Sequence, residues 1–419
     1  MLRTLLLYRM DTMNLDSLPP LSDKRLAVHV TPTAERALRS GHPWVFDQAI
    51  RKQSHEGQPG DLAVIFDSKR RFLAIGLYDP HSPMRVKVLQ HRQQATINAD
   101  WFTDKLRAAA QIRQPLEAEG TNGYRLVHGE NDGLPGLIVD RYAGTLVMKL
   151  YTAAWLPHLR DVIGGLEAVQ PFERLVLRLS RNINAGYGLH DGQVLIGDAL
   201  DEPVIFQENG LYFAADVLAG HKTGFFFDQR DNRAQVRKLA SGRRVLDVFA
   251  YSGGFSVYAA AGGARSVTSL DISAPALEAA AANLALNAAD PHVAAAQHHL
   301  LAEDAFDGLE RLRSAGQTFD MVIVDPPSFA KSAAEVERAL ASYARLTRLA
   351  LGVLEPMGVL MMASCSSRVP AEDFFSMVLN TSSEVGRPLI EFRRTAHALD
   401  HPITFTEGAY LKALFASTI

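Results

Sequence analysis

The 419-residue chain sets 43 lysines and arginines against 46 aspartates and glutamates, a formal net charge of −3, so any affinity for nucleic acid has to be local. Its 47% hydrophobic and 21% charged content is that of a globular protein with two or three domains. A single cysteine excludes internal disulfides and thiolate zinc clusters and fits a reducing, cytoplasmic setting, and no apolar run approaches the length of a membrane span.

Fourteen histidines lack ligand spacing, and His298-His299 reads as a strand pair, so no metal is expected. At the start, Leu5-Leu6-Leu7 between Arg3 and Arg9 is too short for a signal-peptide core. Met10 and Met13 are alternative starts, and residues 1–23 read as a loose tail. Residues 24–92 alternate predicted strands (Ala27 to Val30, Leu62 to Phe66, Phe72 to Leu77, Arg85 to Leu89) with turns, the pattern of a small β-barrel. Trp44 and Phe46 are expected in its core. Basic residues cluster there: Lys24, Arg25, Arg36, Arg39, Arg51, Lys52, Lys69, Arg70, Arg71, Arg85 and Lys87. They read equally as a solvated surface or as a salt-sensitive RNA-backbone contact.

Residues 93–200 predict a central α+β domain, with helices over Ile97 to Ile112 and Leu156 to Leu166. Strands are expected at Tyr124 to Val127, Leu137 to Asp140, Thr145 to Tyr151 and Arg174 to Leu179. Asn131-Asp132-Gly133 and Pro135-Gly136 read as structural loop punctuation, and no residue there hints at catalysis. The domain is expected to brace the barrel and help shape an RNA channel.

Residues 201–419 open with a predicted hairpin, Val204 to Gln207 and Leu211 to Ala214 around Glu208-Asn209-Gly210. Lys222 to Arg230 and a helix over Asn232 to Leu239 follow, with Asp228 and Arg230 expected to pair with each other or cap the helix. Val245 to Phe255 then reads as strand, tight turn and helix start, the opening of a doubly wound α/β sheet with a nucleotide-type ligand at the turn. Its glycines admit close backbone approach, and the helix start offers amide donors. Further strands end in polar residues: Ser266 to Leu270 at Asp271, Gln297 to Leu301 near Asp304, Phe319 to Val324 at Asp325-Pro326-Pro327, and Gly358 to Ala363 at Ser364-Cys365-Ser366.

Parallel strands with right-handed crossovers bring these ends to one edge. Asp271, 24 residues past Asp247, suits a ribose hydroxyl pair. Ala-Tyr-Ser-Gly-Gly-Phe lacks the G-x-G-x-x-G pyrophosphate cradle, which favours an adenosine ligand without phosphates. Asp304 either accepts from an adenine amino group or caps a helix. Together these acids suggest S-adenosylmethionine. The prolines of Asp325-Pro326-Pro327-Ser328-Phe329 make a rigid turn that can hold a carboxyl against a flat base, with Phe329 placed for stacking.

Asp247 to Phe255, Asp271, Asp304 and Asp325-Pro-Pro resemble the successive motifs of class I methyltransferases. Over residues 25–417 the chain is similar to the PUA-containing ribosomal RNA cytosine-5 methyltransferases of the large subunit. Supporting stretches are Gly41 to Phe46, Asn131 to Tyr142, Lys222 to Arg230, Asp400-His401-Pro402 and Glu407 to Lys412. The resemblance implies a Rossmann-like α/β methyltransferase sheet behind an N-terminal PUA-like barrel, and a homodimer. It implies S-adenosylmethionine contacts from Phe227, Gln229, Asp247, Phe249, Ser252, Gly253, Asp271, Ile272, Asp304 and Asp325, with Lys222 to Arg230 as a lid. RNA contacts are implied for Pro326, Pro327, Phe329, Lys222, Arg36 and Arg39.

Cys365 and Asp325 are the expected catalytic residues. Cytosine C5 is a poor nucleophile, and thiolate attack on C6 generates the electron density it needs. Asp325 would stabilise charge developing at N3. Many RNA cytosine-5 methyltransferases carry a second cysteine for product release; this chain has one, so Cys365 must be the sole nucleophile. Two competing readings stand: methylation of a guanine or adenine nitrogen, which needs no adduct, and a non-catalytic RNA-binding assembly factor.

Overall fold

The computed structural model describes residues 18–181, 183 and 187–419, so most of the expected tail lies outside the described residues. The chain divides into two compact units. The first comprises residues up to Gln207 with Ala215–Phe227 and Leu399–Thr406; the second comprises Glu208–Ala214, Asp228–Ala398 and Glu407–Ile419.

In the first unit, β1 (Leu26–Val30), β2 (Trp44–Val45), β3 (Ile50–Gln53), β4 (Leu62–Phe66), β5 (Phe72–Tyr78) and β6 (Val86–His91) form one sheet ordered β2-β6-β5-β4-β1-β3. Period-two burial along β1 and β4 turns Leu26, Val28, Val30, Ala63 and Ile65 into its core. Helix α1 (Pro32–Arg39), absent from the sequence reading, starts where Thr31 accepts from the Ala34 amide and Pro32 presets φ.

The basic cluster is partly spent inside this unit. Arg39 and Arg71 both pair with Asp67, and Lys87 is buried against Asp79 at 3.4 Å. Lys87 is therefore no surface contact. Phe46 is also not in the core: it is exposed, while Trp44 is half-buried and donates to Glu130 at 3.0 Å.

The second sheet of this unit is ordered β11-β10-β9-β8-β7, from β7 (Gly123–His128), β8 (Leu137–Tyr142), β9 (Thr145–Leu150), β10 (Arg174–Leu179) and β11 (Gln193–Ile196). Helices α2 (Ala99–Ala118) and α3 (Leu159–Val169) bury Phe102, Leu106, Val162 and Leu166 in the same core as its strands. Polar bonds tie the two sheets together: Thr152 donates to Asp79 at 2.5 Å, and His158 lies 2.8 Å from the Gly60 carbonyl.

The loop punctuation has a structural role. Arg113, fully buried, donates to both oxygens of Asp132 and to the Asp400 carbonyl, while Asp400 accepts from the Arg125 amide. The Asp400-His401-Pro402 stretch thereby docks on β7.

The hairpin β12 (Val204–Glu208) and β13 (Leu211–Ala215) turns through left-handed Asn209 and Gly210, the backbone an Asn-Gly pair adopts most easily. The second unit is built on seven strands: β14 (Arg244–Val248), β15 (Ser266–Asp271), β16 (Gln297–Ala302), β17 (Phe319–Val324), β18 (Leu354–Ser364), β19 (Leu389–Thr395) and β20 (Lys412–Thr418). Their order is β16-β15-β14-β17-β18-β20-β19. The first five run parallel, and β20 joins antiparallel to both β18 and β19.

Alternating with the strands are α4 (Arg230–Leu239), α5 (Gly254–Ala261), α6 (Ala274–Leu286), α7 (Pro291–Ala295), α8 (Ala305–Ser314), α9 (Val336–Val353) and α10 (Ala371–Glu384). This is the expected doubly wound sheet, closed by an antiparallel pair that the sequence reading left unassigned.

Candidate active site

Because β14, β15 and β16 step one way and β17 and β18 the other, the strand order reverses between β14 and β17. At such a switch point the loops part and leave a crevice beyond the carboxyl ends of the strands. Asp271, Phe249, Asp325 and Cys365 leave four adjacent strands at that edge.

The loop after β14 is held in place by strained backbone. Phe249 (φ 66°), Tyr251 (φ 49°) and Gly253 (φ 75°) alternate through the left-handed region, which costs a side-chain-bearing residue about 1 kcal/mol or more. What offsets the strain is hydrogen bonding. The Phe249 and Ala250 amides donate to the Leu270 carbonyl, Tyr251 N to Asp271 Oδ2 at 2.9 Å, and Asn283 Nδ2 to the Ser252 carbonyl at 2.8 Å. Asp271 Oδ1 also accepts from Ser273 N, which fixes the carboxylate while leaving lone pairs for two hydroxyls. Next to it Ile272 is 73% exposed, an apolar surface at the mouth of the crevice.

Asp247 lies buried beneath the loop. Its Oδ2 accepts from Ser256 Oγ at 2.6 Å; Ser256 and Ser269 hydroxyls are 2.7 Å apart, and Ser269 Oγ is 2.8 Å from His298 Nε2. Burial pushes the Asp247 carboxyl up to about 7; bonds from Ser256 oppose the rise and Asp271 adds to it. Burial likewise lowers His298, with His299 contributing. No sequence motif announced this relay.

Whether these residues fit an adenosine-type cofactor can be asked of two atoms. Among the described residues, Asp247 Oδ1 and Ser252 Oγ are buried without a hydrogen-bond partner. Such orphans cost free energy unless a ligand completes them. Beside them lie the fixed Asp271 carboxylate and the amino end of α5, so the residues fit S-adenosylmethionine.

Gly253 makes a second kind of contribution: a Cβ there would sit 2.7 Å from Ala280 Cβ, so its small size serves the packing of α5 on α6. Asp304 is exposed and caps α8, its Oδ1 accepting from Phe306 N and Asp307 N. Gln229 is buried and accepts from Asn232 at 2.5 Å. Phe227 belongs to the first unit, where its ring is buried among Tyr142, Phe206 and Phe225. The segment expected as a lid begins in the first unit too: Thr223 donates to Asp140, and the exposed Lys222 sets its ammonium 4.4 Å from the Phe226 ring. Asp228 accepts from Tyr410 at 2.8 Å, and Arg230 lies 3.5 Å from Asp231.

At the other side of the switch point, the Cys365 thiol donates to the Pro326 carbonyl at 3.6 Å. The pairing of Val324 with Met362 on β17 and β18 brings the Asp-Pro-Pro turn beside Cys365. Cys365 and Asp325 are both half-buried, Pro326 is buried and Pro327 is exposed. Phe329 packs against Tyr343, ring centroids 4.9 Å apart, so one face of the expected stacking ring is already covered. Burial pushes the Tyr343 hydroxyl up to about 12; Ser364 opposes, and the nearby charges of Cys365 and Asp325 reinforce the rise.

The sequence reading missed Tyr343 and assigned no role to Lys412, although a lone lysine opening the apolar run Ala413 to Phe415 was a visible signal. In the first unit, Arg36 lies 3.3 Å from Thr33, and Arg39 is engaged with Glu35 and Asp67.

Residues 175–413 match the family profile of the S-adenosylmethionine-dependent methyltransferases, and residues 28–91 match that of a PUA-like domain. A ribosomal RNA large subunit methyltransferase of Deinococcus radiodurans is 49% identical over 407 residues, 95% of this chain and 99% of that protein. Ribosomal RNA large subunit methyltransferase I of Pseudoalteromonas atlantica is 36% identical over 399 residues, 94% and 99% of the two chains. The fold matches the crystal structure of the methyltransferase SMU.776 complexed with SAH, with a TM-score of 0.79 at 21% identity over 94% of this chain and 99% of that one. The chain therefore belongs to the S-adenosylmethionine-dependent methyltransferases, within the family of large-subunit ribosomal RNA methyltransferases that carry a PUA-like domain at the amino end.

Proposed function

We propose that this enzyme methylates C5 of a cytosine in large-subunit ribosomal RNA through a covalent bond between Cys365 Sγ and C6. The observation that carries this reading is the contact between the Cys365 thiol and the Asp325-Pro326-Pro327 turn at the cofactor edge of the sheet. The names of the relatives support the RNA substrate.

Bound S-adenosylmethionine supplies an electrophilic sulfonium methyl group. The Cys365 thiolate adds to C6, and the displaced electron pair builds density at C5. Asp325, lending a proton, meets the charge developing at N3. C5 takes the methyl group, a base removes the C5 proton, and expulsion of the thiolate restores the double bond. Asp271, Ile272, Ser252 and Asp247 hold the cofactor in this reading, the exposed Pro327 and exposed basic residues such as Arg36, Arg39 and Lys222 face RNA, and the buried Pro326 acts by fixing the turn.

Cys365→Ala is expected to reduce methyl transfer to background while S-adenosylmethionine affinity, measured by calorimetry, is retained. RNA carrying 5-fluorocytosine should form an adduct with the wild-type protein that denaturing gels resolve. Turnover surviving in Cys365→Ala would redirect the assignment to a ring or amino nitrogen, and an inactive wild type to an assembly factor.

A further inference from the structure

Lys412 opens β20 and pairs in register with Ser364, the residue before Cys365. Its side chain is buried, the residue being 4% exposed, and its ammonium donates to the carbonyls of Ser366, Val369 and Tyr410, the last two at 2.7 and 3.3 Å. Three donors meet three acceptors, so the geometry of the ammonium is fully determined. None of those acceptors is a carboxylate. A buried ammonium without an acidic partner is expensive, because neutral dipoles replace hydration only in part.

The segment that carries it is itself anchored: Tyr410 N and Leu411 N donate to His397 Nε2 at 3.3 and 3.0 Å, and the Tyr410 hydroxyl donates to Asp228. Neutral donors would tie the same three carbonyls without the cost of a charge. The charge calls for a counter-ion, and Cys365 lies between Ser364, which Lys412 faces in register, and Ser366, whose carbonyl takes its ammonium.

We propose that Lys412 is a positioning residue whose ammonium is the counter-charge of the Cys365 thiolate. The inference rests on Cys365 acting as nucleophile and names what makes that thiol reactive. The groups around the thiol are Lys412 from β20, bonded to the carbonyl of the next residue Ser366, the Tyr343 hydroxyl from α9, bonded to the preceding Ser364, and the Pro326 carbonyl, with Asp325 one residue before it in the turn after β17. Tyr343 stays neutral, and Asp325, protonated or not, offers the thiolate no positive charge. Lys412 supplies the favourable charge. Burial pushes the Lys412 ammonium down to about 8 and Cys365 resists that fall, so the lysine keeps its proton at neutral pH. At neutral pH, ionisation sends the thiol proton to solvent and leaves Lys412 protonated.

Cys365 is the only cysteine, so iodoacetamide labelling of the full-length protein reports on it alone. Labelling rates between pH about 6 and 10 give the midpoint of thiol ionisation. Lys412→Gln keeps amide donors for the carbonyls but removes the charge; it should raise the midpoint by about one unit and slow labelling at neutral pH about tenfold. Lys412→Arg should hold the wild-type midpoint. An unchanged midpoint in folded Lys412→Gln overturns the proposal.

If that variant does not fold, the reciprocal measurement decides. The Lys412 titration, followed by NMR of 13C-methylated lysines, should move to lower pH in Cys365→Ala, and an unmoved titration overturns the pairing. Methyl transfer surviving Cys365→Ala defeats the cytosine reading by itself. A fixed thiol midpoint in Lys412→Gln, with Cys365→Ala inactive, defeats only the role given to Lys412.

Discussion

Asp247 and Cys365 are carried by two strands of one sheet, with β17 between them, yet their sequence signals differ in kind. Asp247 lies near the end of an apolar strand and was readable as a motif acid, but its protonation was not, because the burial that raises its carboxyl and the Ser256 hydroxyl that opposes the rise depend on other elements. Its folded-state value near 7 lies above the ordinary 3.8. The folded protein therefore holds a proton that the unfolded chain releases, and the resulting stability is full below about pH 4 and gone above about pH 7. At roughly 1.4 kcal/mol per unit, the whole effect is on the order of 4 kcal/mol. Urea denaturation of wild type and Asp247→Asn between those limits should show the wild type losing stability relative to the variant as pH rises. Parallel curves would mean that Asp247 is ionised throughout. Lys412 illustrates the converse: its type was visible in the chain, whereas its carbonyl partners and the nearby thiol come from a strand end some fifty residues earlier.

At the level of the element, the strand–turn–helix beginning at β14 was legible because β-branched residues, small residues and an apolar helix start follow one another without interruption. Helix α6 and strand β17 were equally plain. Strands β19 and β20 were not, since β19 is a largely exposed edge strand and β20 pairs with a partner distant in sequence. Asp304 was expected either to meet an adenine amino group or to cap a helix, and one of its carboxylate oxygens closes α8.

Gly253 joins both requirements in one position, a left-handed φ and a close approach to Ala280. Gly253→Ala should cost about 2–3 kcal/mol from backbone strain and overpacking together. It should also weaken S-adenosylmethionine binding by displacing Ser252. A melting temperature and cofactor affinity equal to wild type would show that the loop relaxes freely.

For the molecule as a whole, charge has moved from surface to interior more than composition suggests. Arg113 with Asp132, Arg233 with Glu208, and Lys87 with Asp79 are buried pairs inside their own units. Arg113 ties Asn131-Asp132-Gly133 to Asp400-His401-Pro402, nearly 270 residues apart in the chain. Removing one member of such a pair strands a buried charge, so Arg113→Met should destabilise the first unit by about 3–5 kcal/mol. Adding Asp132→Asn should recover part of the loss. Thermal unfolding of the single and double variants tests this, and additive losses would contradict the coupling.

The chain's own order of apolar runs, turn residues and strand-end acids determined the α/β sheet, the cofactor type and the candidate nucleophile, because those are local patterns with a fixed period. Only the tertiary structure decided which basic residues are spent in ion pairs, that Asp247 is buried, and that the Lys412 ammonium is buried against the carbonyl of the residue after the thiol. Each of those depends on dielectric and on partners far apart in sequence, and neither quantity is written in a local pattern.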